Sequence, residues 1–213
     1  MRYYIADCHF FHEALNREMD HRGFASVEEM NEYMIKRWNE KVRNRDEVVI
    51  LGDLSMGNAE QTNALLDRLQ GKLFLIVGNH DNRYLRSKTF HKERFGWIYP
   101  YAELHDDGRK VVLSHYPIAC YNGQYLKNKK GEPRTYMLYG HVHDSHDERL
   151  IEQYQQMVEK TRIADRDGGT QSLSSHMINC FCMYSDYQPL SLDEWIALTK
   201  QRLIRCQNVE DSL

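Results

Sequence analysis

A chain of 213 residues with net charge −3, 41% hydrophobic and 28% charged residues has the make-up of an ordinary globular protein that needs no disulfides to bury a core. That charge balance argues against an avid, non-specific grip on a nucleic-acid backbone, which calls for a basic surface. No run approaches the roughly 18 apolar residues of a membrane span. Five cysteines (Cys8, Cys120, Cys180, Cys182, Cys206) show no paired spacing, and the N-terminus enters a strand-like run without an apolar leader, so a cytoplasmic protein with reduced thiols is expected.

In chain order, Tyr3–Ala6 reads as a short strand leading into Asp7. Residues 26–43 predict an amphipathic helix, with Val27, Met30, Met34, Trp38 and Val42 at helical spacing and a Ser26–Glu29 capping box. An apolar strand over 47–51 ends in Gly52-Asp53; a helix over 58–69 follows, and a buried strand over 73–77 ends in Gly78-Asn79-His80-Asp81. Residues 98–104 and 110–113 predict neighbouring strands around an Asp106-Asp107-Gly108 turn, and 135–139 a further strand ending in Gly140-His141-Val142-His143. Residues 147–162 are helix-compatible, 166–175 read as a mobile loop, 176–184 as a strand and 191–206 as a closing helix with a Ser191–Glu194 capping box. The order predicts one layered α/β domain over 1–213, with 144–175 as an insertion or mobile segment.

Five polar clusters stand at the ends of these apolar runs: Asp7-Cys8-His9, Gly52-Asp53, Gly78-Asn79-His80-Asp81, Ser114-His115 and Gly140-His141-Val142-His143. Ligands gather beyond the carboxyl ends of strands in open α/β sheets. Carboxylate and amide oxygens with neutral imidazole nitrogens suit a hard-to-borderline divalent metal. Asp7 and His9, two apart on an extended strand, would point the same way; His141 and His143 at a turn can diverge toward two ions. Asp53 can bridge two cations ~4 Å apart, the separation used for displacement at phosphorus. The glycines at 52, 78 and 140 let the backbone approach closely. Each motif alone is a common surface or turn feature; the set in this order is not.

This pattern resembles the calcineurin-like metallophosphoesterase superfamily, whose motifs D-x-H, GD, GNH[DE], H and GHxH are met over roughly residues 1–190. It is most similar to the small bacterial and phage members, whose first motif continues as Phe10-Phe11-His12 does here. The resemblance implies a four-layer α/β/β/α sandwich with a dinuclear site at the strand ends. One ion would be held by Asp7, His9, Asp53 and His143, the other by Asp53, Asn79, His115 and His141. His80 would act as general acid, with Asp81 orienting its imidazole. Two divalent cations (Mn, Fe or Zn) would activate water against a phosphomonoester or phosphodiester. Gly52-Asp53-Leu54-Ser55-Met56-Gly57 lacks an Asp-Arg pair and the third motif ends in Asp, which argues against the protein-phosphatase and dinucleoside-tetraphosphatase branches.

The expected substrate is a small or nucleotide-like phosphoester. The competing reading is a non-catalytic metal-binding scaffold of the same fold; such degeneration removes ligands, and none is missing here. Outside the pattern, His12 is a candidate substrate contact, Arg83, Arg86 and Arg134 candidate phosphate contacts, and Lys127–Lys130 a solvated loop. Tyr116 and Tyr121 are candidate stacking surfaces near the rim. His146 and His176 read as structural, and Cys8 as facing away from the metals.

Overall fold

Strands buried on both faces read as continuous apolar runs, because alternate residues feed two different cores. That is how the first half of the chain is built. The computed structural model describes residues 1–164 and 167–210. β1 (Arg2–Ile5), β2 (Glu47–Ile50), β3 (Lys72–Ile76) and β4 (Phe95–Tyr99) form a parallel sheet in that order. β5 (Tyr101–Asp106), β6 (Arg109–Ser114), β7 (Thr135–Tyr139) and β10 (Met177–Asn179) form a second sheet in the order β10-β7-β6-β5, antiparallel only between β5 and β6.

The outward residues Tyr3, Ile5, Val48, Ile50, Leu73 and Leu75 share a core with α1 (Val27–Lys41) and α2 (Ala59–Arg68). Their neighbours Tyr4, Val49, Leu51 and Ile76 point inward to meet Val111, Leu113, Leu138 and Ile178 of the second sheet. The far face of that sheet, through Val112, Met137, Tyr139 and Met177, packs beneath α4 (His146–Lys160). The four layers are therefore helix, sheet, sheet, helix, as expected. α5 (Leu192–Glu210) closes the sandwich edge, where the buried Trp195 indole donates to the Tyr4 carbonyl at 2.9 Å.

The helix starts follow their capping chemistry. Ser26 Oγ accepts from the Glu29 amide, but the Glu29 carboxylate returns to the Ala25 amide, one residue before the expected partner. Asn58 and Gln61 form a reciprocal box at the start of α2, and Ser191 and Glu194 do the same at α5.

Three expectations are corrected. The run 98–104 is two strands in different sheets: β4 ends at Tyr99, β5 begins at Tyr101, and Pro100, without an amide to donate, marks the crossing. The strand expected over 176–184 is only β10; the chain then makes an isolated bridge from Phe181 to Ala6 and turns into a 3₁₀ segment, Cys182–Ser185. That bridge, with Ala6 N donating to Cys180 O and Cys182 N to Ala6 O, stitches the two sheets together directly behind Asp7. The third concerns 166–175. Arg166 lies outside the described residues, while β8 (Arg162–Ala164) and β9 (Thr170–Ser172) form a hairpin and α4 fills the segment before it. No helix among the described residues is long and apolar enough to cross a membrane.

Candidate metal centre

The ends of β1, β2, β3, β6 and β7 all face one rim, and the loops that leave them bring the five polar clusters together. His9 Nε2 lies 3.2 Å from His143 Nε2 and 3.5 Å from Asp53 Oδ2, and Asp7 Oδ1 lies 3.8 Å from His143 Nε2. On the other side Asn79 Oδ1 is 2.9 Å from both His115 Nε2 and His141 Nδ1, and His115 Nε2 is 3.5 Å from the same Asp53 oxygen. The two histidines of the GHxH motif thus diverge, one to each group, and Asp53 Oδ2 stands between the groups. Ligand-type side chains cluster as Asp7–His9–His143 and as Asp7–Asp53–His115.

The backbone that achieves this is not extended. Asp7 (φ 55°), His9 (φ 48°), Asp53 (φ 53°), His141 (φ 73°) and His143 (φ 49°) are all left-handed. Asp and His tolerate that region better than most residues, yet each such residue still costs on the order of 1–3 kcal/mol. The expectation that strand alternation aligns Asp7 with His9 is therefore corrected: β1 stops at Ile5, and a left-handed turn places both side chains on the rim. Cys8 does face away, into the core. The three glycines are required for space. A Cβ would lie 2.3 Å from His115 Nδ1 at Gly52, 2.2 Å from Asp53 Oδ1 at Gly78 and 2.5 Å from Asp7 Oδ2 at Gly140.

Hydrogen bonds set which ring nitrogens face inward. His115 Nδ1 donates to the Leu51 carbonyl at 2.8 Å, and His143 Nδ1 to Asp20 Oδ1 at 2.8 Å. When these rings are neutral, their Nε2 lone pairs point at other acceptors: an imidazole, an amide oxygen and two carboxylates. Lone pairs converging at such distances repel unless a proton or a cation lies among them. Burial pushes the Asp7 carboxyl up to about 6. For Asp53 burial acts in the same direction, but the hydrogen bond and charge of His115 outweigh it and hold the group at about 2. Burial works against a charge on His115, yet Asp53 and Asp7 push its pKa up to about 9. In the metal-free cluster the carboxylates thus favour a proton on His115, and the donor set is of the kind a divalent cation takes.

Comparison with known proteins agrees with the geometry. Residues 3–197 match the calcineurin-like phosphoesterase family. The chain belongs to that family. It is 31% identical over 209 residues to the uncharacterized protein MJ1445 of Methanocaldococcus jannaschii, covering 97% of this chain and 96% of that one. It is 28% identical over 167 residues to the Gene 66 protein of Mycobacterium phage L5, covering 66% and 76%. In fold it is similar to the Aquifex aeolicus protein of unknown function AQ665, known from a crystal structure, with TM-score 0.63 at 23% identity over 93% of this chain and 98% of that one.

Within this phosphoesterase fold, Asp81 has a different place from the one expected. Its fully buried carboxylate accepts from the amides of Asp53 (2.9 Å), Leu54 (3.0 Å) and Gly78 (2.7 Å) and from the Tyr84 hydroxyl (2.7 Å). It pins the Asp53 turn to the Gly78 turn and does not orient the His80 ring. His80 instead hangs over the rim, its Nε2 3.9 Å from Asp53 Oδ2 and its amide donating to Asp53 Oδ1. The His12 ring lies in the same cleft, 5.5 Å from His9 and 6.5 Å from His80.

Two residues escaped sequence reasoning. Asp20, beyond a π-helical turn over Leu15–Met19, receives the His143 proton. Arg22, buried, donates to Asp20 Oδ2 (2.9 Å), the Cys8 carbonyl (2.7 Å) and the Asp7 carbonyl (3.1 Å), so one guanidinium holds both the His143 partner and the strained first motif. A charged Asp-His-Arg-Gly run looks like a solvated loop, and no periodicity marks it as buried. Elsewhere, Tyr116 packs edge-on against the His141 ring at 4.5 Å. Tyr121 is buried and accepts from the His176 amide, which rules it out as a stacking surface at the rim. Arg134 lines a separate depression with Asp107 and Asp193.

Asp81→Asn should lower unfolding stability by about 2–4 kcal/mol in urea melts, because an amide nitrogen would face backbone donors; a wild-type midpoint would contradict the pinning role. Metal-stripped protein should lose thermal stability as pH rises from about 6.5, the ordinary imidazole value, through about 9, where His115 gives up its proton in the folded state. A group with a raised folded pKa stabilises below its unfolded value and loses that contribution above its folded one, and His143 acts in the same direction. Added Mn²⁺ should remove this slope in a thermal-shift titration; a slope unaltered by metal would contradict the account.

Proposed function

We propose that this protein is a metal-dependent phosphoesterase that hydrolyses a phosphomonoester or phosphodiester at a two-cation centre. The observation that supports it is the pair of ligand-type clusters that meet at one oxygen, Asp53 Oδ2. Asp7, His9, Asp53 and His143 would hold one ion; Asp53, Asn79, His115 and His141 the other. Manganese, iron or zinc suits this mixture of nitrogen and oxygen donors. When bound, such ions supply charge neutralisation at the phosphoryl oxygens and make water acidic enough to attack near neutral pH.

The residues of the chain do the rest. Asp20 and the Leu51 carbonyl fix the tautomers of His143 and His115 so that their Nε2 lone pairs would be free to hold the ions. Arg22 and Asp81 hold the turns that carry Asp7 and Asp53. His80, its side chain 42% exposed and next to the shared carboxylate oxygen, can reach a bound ester from the open side. As water oxygen, its proton given up to solvent, would add to phosphorus and the ester P–O bond break, His80 would pass a ring proton to the departing oxygen. His12, on the same wall, contacts the substrate.

His80→Ala should lower kcat by about 10²–10⁴-fold on bis-p-nitrophenyl phosphate while both metals remain in elemental analysis; loss of metal in parallel would remove His80 from the catalytic step. Asp53→Asn should release both ions together, since it alone belongs to both sets. Retention of two ions after gel filtration would show that the carboxylate is not shared. Absence of Mn²⁺-dependent, EDTA-sensitive cleavage of both the diester and p-nitrophenyl phosphate by metal-loaded protein would favour the scaffold reading.

A further inference from the structure

The cleft above the candidate centre has a volume of about 330 Å³. The floor is made of the ligand-type side chains with His80. The mouth carries Met19 on one side and Asp144, Ser145 and Asp147 on the other. Met19 is 66% exposed, and Asp144 and Asp147 are exposed as well.

Among the described residues, no lysine or arginine lines this cleft. Arg22, on the adjoining segment, is buried and turned toward Asp20 and two main-chain carbonyls. Arg17 pairs with Glu13 at 2.7 Å. Arg83 and Arg86, which follow the third motif and were candidate grips for a second phosphate, do not reach the lining. The N-terminus of α4 opens onto the mouth and would favour an anion on its own. Its first turn, however, carries Asp147 and Glu148, and Ser145 Oγ already accepts from the Asp147 amide.

Positive charge would therefore come only from cations held at the floor, where one phosphoryl group would sit, while a substrate extending through the mouth passes a methionine and two carboxylates. We infer that this cleft selects esters with a single phosphoryl group whose organic part is uncharged or cationic, and rejects substrates with a second anionic group. Asp144 and Asp147 are the specificity-determining residues. The inference rests on the phosphoesterase reading for its floor. It narrows the substrate away from nucleoside polyphosphates and phosphorylated nucleic-acid ends. Two carboxylates acting on one extra negative charge at the separations of an open cleft are worth roughly a tenfold discrimination at low salt, and less as salt screens them.

The test compares matched probes on Mn²⁺-loaded protein. In calorimetry, 2-aminoethylphosphonate should bind about tenfold or more tightly than 2-carboxyethylphosphonate, with the gap narrowing as salt rises. In kinetics, kcat/KM for p-nitrophenyl thymidine 5′-phosphate should exceed that for its 3′-phosphorylated analogue by a similar factor. Asp144→Asn combined with Asp147→Asn should shrink both ratios severalfold; ratios are unaffected by any loss of active protein in the variant. Equal or reversed preference in the wild type, ratios unmoved by the double substitution, or no binding of either phosphonate would overturn the inference. Phosphonate binding with the expected ranking but no turnover of either ester would overturn the hydrolase reading and leave the charge selection standing.

Discussion

The rest of this molecule is organised around a crowd of lone pairs. Asp53 Oδ2, Asn79 Oδ1 and the inward nitrogens of His9, His115 and His143 converge within 2.9–3.5 Å of one another or of a shared neighbour. Acceptor atoms do not crowd this way for stability alone. The arrangement costs desolvation and left-handed backbone at five residues. What holds it is a tier of donors behind the rim: the guanidinium of Arg22 and the amides that Asp81 gathers, backed by the direct stitch between Ala6 and the segment after β10.

That tier explains why the two sheets must meet where they do. The GHxH motif belongs to the second sheet and Asp7, His9, Asp53 and Asn79 to the first. Asp7 accepts from the His141 amide at 3.0 Å, with Gly140 pressed against it so closely that no side chain fits. Asn179, on β10, donates to the His143 carbonyl and to Glu148 of α4, so the helix over the second sheet is tied to the same loop. Burial raises the Glu148 carboxyl to about 7. Each ligand set draws on both sheets, so movement of one sheet against the other would pull both sets apart, and the core between the sheets opposes it.

The ligand-type residues and the cleft walls sit on different parts of the chain. Ligand-type residues come from strand ends, where backbone geometry is rigid. The cleft walls come from the π-helical turn and from the start of α4, both connections between strands. Under the proposed phosphoesterase reading, loop substitutions would change which ester is accepted without disturbing the floor.

All five polar clusters were legible in the sequence, because each ends an apolar run and the residue types are those a divalent metal takes. The layered order followed as well, since strands buried on both faces alternate with capped helices. Other features depended on distance in space and had no local signature. Pro100 interrupts a run that looks continuous, yet only sheet pairing shows the chain crossing there. Asp81 sits next to His80 in sequence, but its carboxylate turns to the amides of another strand end. Asp20 and Arg22 read as solvent-facing charges until His143, more than a hundred residues on, arrives beside them. The sequence by itself determined which groups can bind and react, because that is fixed by side-chain chemistry and by the strand ends that carry them. Only the tertiary structure decided which groups support them, because those contacts join residues far apart along the chain.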